Sequence, residues 1–238
     1  MEQGSLTDTA NTILVNSKRS DEITVFDRGL QFGDGVFETI RIHRGRPVWW
    51  DAHMNRLTDG CRRLEFEKLP DTDNLLQEVI DNAARFDTGT LKIIITRGNS
   101  NSGYRIPDDI SDNIIMIFSE GGRHEETPEP GIMLGLCKHY IASPSLLAGI
   151  KHLNRLEQVM ARKECTEQGW DEGVMLDSEE RVIEGTMSNI FAWYGDKLIT
   201  PLITQAGVKG ICRDVIMEQS MHAVGSIEEC EISVSDLL

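Results

Sequence analysis

The chain has 238 residues, a formal net charge of −15 and a hydrophobic fraction of 39%. That length suits one compact protein of one or two domains with a real core, and so acidic a surface argues against nucleic acid and anionic membranes as partners. No apolar run is long enough to span a bilayer and the polar start MEQGSLTDTAN is no signal peptide, so the expectation is a cytoplasmic protein.

In chain order, Thr12–Val15 and Val36–Ile42 read as strands, rich in β-branched and aromatic residues. His43-Arg44-Gly45-Arg46 reads as a hairpin turn returning through Pro47–Trp50. A helix is predicted over about Asp51–Phe66, with Met54, Leu57, Cys61 and Leu64 on one face. Thr72 is the predicted cap of a second helix, Asp73–Phe86, with a stripe of Leu75, Leu76, Val79, Ile80 and Ala83. Leu91–Thr96 and Ile114–Phe118 read as strands. The stretch EGGRHEETPEP, Glu120–Pro130, has glycine, proline and charge without periodicity and reads as a linker. Beyond it, Ile132–Cys137 reads as a strand and His152–Gln168 as a helix with Leu153, Leu156 and Met160 on its packing face. Val174–Asp177, Arg181–Glu184, Ile190–Trp193 and Lys197–Ile199 read as short strands, Lys209–His222 as a helix and Cys230–Val234 as a last strand. The organisation expected is an α/β domain over 1–121, a linker over 122–130 and a second α/β domain over 131–238, with a small-molecule site in the cleft between domains.

Five cysteines, Cys61, Cys137, Cys165, Cys212 and Cys230, are widely spaced and include no C-x-x-C pair. They signal neither a disulfide framework nor a zinc site and read as small buried hydrophobes. Gly33-Asp34-Gly35 has no Lys-Ser/Thr after it and reads as a turn rather than a phosphate loop. His139 and His152 have no metal-ligand partners in the sequence.

Several residues are candidates for chemistry. Lys151 follows Ala-Gly-Ile and lies off the apolar stripe; taken alone it is an ordinary solvated lysine. Glu184 ends a strand beside Gly185 and can face a ligand, or serve as a turn acid. In ITQAGVKGICRDVI two glycines lead into a helix whose first amides, those of Ile211 and Cys212, suit a phosphate. Arg56 can clamp a phosphate with two hydrogen bonds, or sit on the surface. As a set they match the protein's share of pyridoxal phosphate chemistry: a lysine for a Schiff base, a carboxylate for the pyridine nitrogen, and an arginine and a helix start for the phosphate.

The blocks FDRGLQFGDGVFETIR, AHMNRL, LKIIITRG, LAGIKHLNRLEQV, EGTMSNIF and GVKGICRD stand in the order found in the fold-type IV pyridoxal-phosphate enzymes. The chain resembles that family over nearly its whole length. The family includes branched-chain and D-amino-acid aminotransferases and aminodeoxychorismate lyases. The resemblance implies a D-amino-acid aminotransferase-like fold, an α+β N-terminal domain followed by a C-terminal α/β pseudo-barrel domain, and usually a homodimer. It implies Lys151 as the Schiff-base lysine, Glu184 facing the pyridine nitrogen, and Arg56, the amides of Ile211 and Cys212, and Ser188 around the cofactor. LAGIKHLNRLEQV is most similar to the lyases, as is Phe37 where D-amino-acid transaminases tend to have tyrosine. On that pattern Thr39 is a proton donor, or else a plain strand residue. The implied reaction converts 4-amino-4-deoxychorismate to 4-aminobenzoate and pyruvate, with Lys151 abstracting a proton. The alternatives are an aminotransferase for D- or branched-chain amino acids and a non-catalytic relative.

Two departures stand out. Where the lyases carry an arginine for a substrate carboxylate, this chain has Ser102, in RGNSNSGYRIP; Arg97 or Arg105 is the substitute expected, and Tyr104 is retained among the substrate-binding residues. Family members also usually continue past EISVSDLL, and that tail is expected to be missing here.

Overall fold

A computed structural model describes residues 11–121, 131–143, 145–220 and 227–237. The expected linker, 122–130, lies outside the described residues. The chain divides into two compact units, and residues 151–154 belong to the first of them.

The first unit is built on a six-stranded antiparallel sheet. Its strands are β1 (Thr12–Val15), β2 (Lys18–Arg19), β3 (Gly35–His43), β4 (Arg46–Pro47), β5 (Thr88–Thr96) and β6 (Asn113–Glu120). They lie in the order β2-β1-β6-β5-β3-β4. β3 alternates: Val36, Glu38, Ile40 and Ile42 are buried, while Thr39, Arg41 and His43 are exposed. β5 answers with Leu91, Ile93 and Ile95 buried, and the register sets Phe37 opposite Ile94 and Thr39 opposite Lys92. Residues paired across a ladder share a face, so Phe37, Thr39, Lys92 and Ile94 stand on one side of the sheet and Glu38 on the other.

The β3–β4 hairpin turns through Arg44 and Gly45, both with positive φ (50° and 71°). That pairing suits the right-handed twist of the strands. The return strand is shorter than the sequence suggests, because Trp49, at φ 52°, already starts helix α2, Trp50–Arg63. Met54, Leu57 and Cys61 bury as expected, but Leu64 falls beyond the helix and Phe66 takes its place in the core. Helix α3 is Thr72–Ala83; Asp71, not Thr72, caps it by accepting from the Asn74 amide at 3.1 Å. A short helix, α1 (Arg28–Phe32), is capped by Asp27 and closed by Gly33 in the left-handed region.

The described residues of the second unit form two three-stranded sheets, β7-β8-β9 and β10-β11-β12. These strands are β7 (Leu134–Leu136), β8 (Glu172–Leu176), β9 (Val182–Gly185), β10 (Ala192–Tyr194), β11 (Lys197–Pro201) and β12 (Ile227–Cys230). The last strand precedes its expected position; Val234–Asp236 is a single 3-10 turn. Helix α4 is Leu156–Gln168 and α5 is Ile211–Ser220.

The expected packing face of α4 is overturned. Leu156 is 72% exposed and Met160 38%, whereas Ala161, Glu164 and Cys165 are buried. The core there gathers Cys137, Ile141, Ala161, Cys165, Met175 and Ile183. Cys61, Cys137 and Cys165 are buried as expected, but Cys212 is exposed and Cys230 half-buried. Among the described residues no helix is long and apolar enough to cross a membrane.

Candidate active site

Lys151 does not stand at the head of a helix. The chain from Lys151 to Leu153 lies along β3 as an added partner. The Phe37 amide donates to the Lys151 carbonyl at 2.9 Å, and the Leu153 amide donates to the Gly35 carbonyl at 3.0 Å. Val36 and His152 form the bridge between these bonds. Gly35 fits between β5 and this segment: a Cβ there would collide with the Ile95 carbonyl oxygen and stand 2.8 Å from Leu153 Cδ1. Tethered this way, Lys151 puts Nζ 4.6 Å from the centroid of the Phe37 ring. Lys92 reaches the same ring from β5, with Nζ at 5.2 Å. Both ammoniums are within cation–π range. Thr39 is exposed on this same face of the sheet.

Arg56 is engaged by Glu38, the buried acid of β3. Its Nε donates to Glu38 Oε1 at 2.7 Å and its Nη2 to Oε2 at 2.5 Å, and His53 Nδ1 lies 2.7 Å from Oε2. Glu38 is wholly buried. Burial pushes its carboxyl up, but the hydrogen bonds from His53 and Arg56, with their charges, outweigh that and hold it below the usual range. Arg56 therefore arrives with its plane set by a buried carboxylate, which the sequence reading missed. The signal was present in β3: an acid occupies one of the inward positions that otherwise read Val36, Ile40 and Ile42.

Arg97 is not placed to meet a substrate. It is 5% exposed. Its Nε binds both oxygens of Asp34 at 3.0 Å, Nη1 binds the Glu65 carbonyl at 3.0 Å, and Nη2 binds the Leu64 carbonyl. It ties the end of α2 to the turn before β3. Tyr104 is 85% exposed, and Arg105 and Ser102 are exposed too; Arg105 lies 4.0 Å from Asp108. Lys92 went unnoticed because it interrupts a strand that otherwise reads as apolar; that interruption was the available signal.

In the second unit, Glu184 is the next-to-last residue of β9 and is 5% exposed. Its Oε2 accepts from the Val208 amide at 2.8 Å. Gly207, at φ 83°, lets the chain pass: a Cβ there would come within 2.7 Å of Ile183 Cγ2 and 3.2 Å of Glu184 Oε2. Ile211 and Cys212 open α5, where amides point out of the first turn. The Ser188 hydroxyl donates to Glu172 Oε2 at 3.1 Å. Glu172 also accepts from the Thr186 amide at 3.0 Å and from the Thr186 hydroxyl.

The amino-transferase class IV family model matches residues 35–238. The chain belongs to this family. It is 31% identical over 226 residues to an aminodeoxychorismate lyase of Vibrio harveyi, covering 94% of this chain and 83% of that protein. The crystal structure of 4-amino-4-deoxychorismate lyase from Pseudomonas aeruginosa superposes with a TM-score of 0.85 at 37% identity, over 94% of this chain and 83% of that one. A branched-chain amino acid aminotransferase from Escherichia coli superposes at 0.86 with 25% identity, over 95% and 79%. The class IV family is one of enzymes that depend on pyridoxal phosphate. Its mixed α/β fold is the fold seen here.

Proposed function

We propose that this protein is a pyridoxal-phosphate-dependent lyase that converts 4-amino-4-deoxychorismate to 4-aminobenzoate and pyruvate, acting in the cytoplasm as a homodimer. The observation that carries the reading is the fixing of Lys151 on β3, its Nζ on the Phe37 ring with Thr39 and Lys92 on the same face. Similarity to lyases of two bacteria supports it.

The residues present fit the cofactor. Glu184 is a buried carboxylate, and the bare glycine at 207 lets the neighbouring chain lie close against it. The start of α5 offers the Ile211 and Cys212 amides to a phosphate, and Arg56 offers a guanidinium already oriented by Glu38. In this reading Lys151 holds the cofactor through Nζ and Glu184 keeps the pyridine nitrogen protonated. When bound, pyridoxal phosphate supplies an aldehyde that condenses with amines and a ring that takes up electrons as a neighbouring C–H bond breaks.

Lys151, with its Nζ free, would accept the proton from the carbon bearing the substrate's amine nitrogen. Thr39 donates a proton to the departing enolpyruvyl oxygen. Phe37 lines the substrate, Tyr104 and Arg105 approach it from the 103–105 loop, and Lys92 takes the carboxylate role that Arg97 is too engaged to fill.

The test is product analysis. The cofactor-loaded protein given 4-amino-4-deoxychorismate should release equal amounts of 4-aminobenzoate and pyruvate, and Lys151→Ala should release neither. The second reading, an aminotransferase, is favoured by the likeness to the branched-chain enzyme. It predicts that D-alanine or a branched-chain amino acid, without keto acid, converts bound cofactor to its amine. The lyase reading predicts that the visible absorption of the aldehyde persists.

A further inference from the structure

We infer that Arg28 is a positioning residue that holds the 103–105 loop by its backbone and so presents Tyr104 and Arg105 to the substrate. Arg28 is 4% exposed. Its Nη1 donates to the Gly103 carbonyl at 2.7 Å and to the Arg105 carbonyl at 3.1 Å, and Nη2 donates to the Tyr104 carbonyl at 3.2 Å. Three consecutive carbonyls thus converge on one guanidinium. Nε is anchored on Asp34 Oδ2 at 2.9 Å, so the fork is fixed from behind. The guanidinium also lies 5.1 Å from the Phe32 ring, and that ring meets Tyr104 at 5.2 Å between centroids.

The arrangement differs from ordinary loop packing. The clamp grips backbone only and leaves the side chains of Tyr104 and Arg105 exposed. Gly103 takes a positive φ of 61° and nothing stands within 4 Å of where its Cβ would be. Just beyond, Ile106 is 46% exposed and, with Pro107, Asp108 and Ile110, borders a cavity of about 650 Å³. A buried cation therefore supplies order that apolar burial does not. Lysine would keep the charge but not the fork: an ammonium cannot reproduce the planar donor set that three carbonyls and a carboxylate share here.

The functional half of this inference rests on the lyase reading, and the test separates the two. Arg28→Lys, Arg28→Gln, Arg105→Ala and Arg28→Lys/Arg105→Ala are compared with wild type as cofactor-loaded enzymes. Measured are KM and kcat for 4-aminobenzoate release, cofactor affinity, and the rate of trypsin cleavage at Arg105–Ile106. Expected for both Arg28 variants is a KM raised about tenfold with kcat within about twofold, the pattern of lost ground-state and transition-state binding alike. Cofactor affinity stays unchanged and cleavage at Arg105 becomes faster. Adding Arg28→Lys to Arg105→Ala should raise KM by a smaller factor than Arg28→Lys does alone, because part of its effect passes through Arg105 and only the part through Tyr104 remains.

Wild-type KM and wild-type cleavage in both Arg28 variants overturn the inference. So does a joint fall in kcat and cofactor affinity, which marks a general structural role. If wild type releases no 4-aminobenzoate, the lyase reading fails by itself, and unchanged cleavage then overturns the clamp independently.

Discussion

Glu38 receives Arg56 through two hydrogen bonds, 2.7 Å from Nε and 2.5 Å from Nη2, with none of the Glu38 side chain exposed. Removing one member of such a buried pair strands the other's charge. Glu38→Ala should therefore lower the unfolding free energy by about 3–5 kcal/mol, read from urea denaturation. Its carboxyl is held below the usual range in the folded state. A depressed group contributes stability that is fully present above its unfolded value and is lost as pH falls through the folded one. The stability gap between wild type and Glu38→Gln should stay constant from neutral pH to about 5 and close below about 4.

Lys92 shares the Phe37 ring with Lys151 and stands opposite Thr39. Lys92→Met keeps most of the side-chain volume and removes the cation. Its KM for 4-amino-4-deoxychorismate should rise by about tenfold to a hundredfold, since a hydrogen bond to a charged group contributes about 1.5–3 kcal/mol. Thermal stability should remain near wild type. An unchanged KM removes Lys92 from the substrate face.

Gly207 holds φ 83° beside Glu184. Gly207→Ala adds a methyl where Ile183 and the Glu184 carboxylate already stand, in a conformation that costs an L-residue about 1–2 kcal/mol. The expected result is weaker pyridoxal phosphate binding, seen as a loss of visible absorption at limiting cofactor. A variant that binds as tightly as wild type removes the Glu184–Gly207 contact from the cofactor site.

The cysteines separate by environment. Burial, with the Asp112 charge, pushes the Cys61 thiol up to about 12; burial and the adjacent Cys165 push Cys137 up to about 12. Cys212 is exposed at the start of α5. A thiol reagent at mildly alkaline pH should modify Cys212 first, by mass spectrometry, and reach Cys61 and Cys137 only on unfolding. Bound pyridoxal phosphate should slow the reaction at Cys212.

Strand alternation made much of the first unit legible. β3 and β5 follow their period-two pattern, and the face of α2 that carries Met54, Leu57 and Cys61 is buried as its spacing implies. The helix assigned to His152–Gln168 fails at its start because Lys151–Leu153 is claimed by β3, a pairing across more than a hundred residues that local propensity does not encode. Arg97 illustrates the same blindness in the site. As a residue type it suits a carboxylate; only the tertiary fold reveals that its donors are spent on Asp34 and on the last carbonyls around α2. Arg28 and Glu38 were invisible for the converse reason, being charged residues whose partners are backbone or buried groups far along the chain.

Lys151 follows the 122–130 segment in sequence yet belongs to the first unit. A cut within 122–130 would accordingly not release two autonomous modules. The N-terminal fragment would leave the Phe37 amide without its acceptor, and the C-terminal fragment would carry an amine with no strand to aim it. On the proposed function, split halves of this protein should form an imine at position 151 only by complementation, which makes that position a reporter of their reassembly.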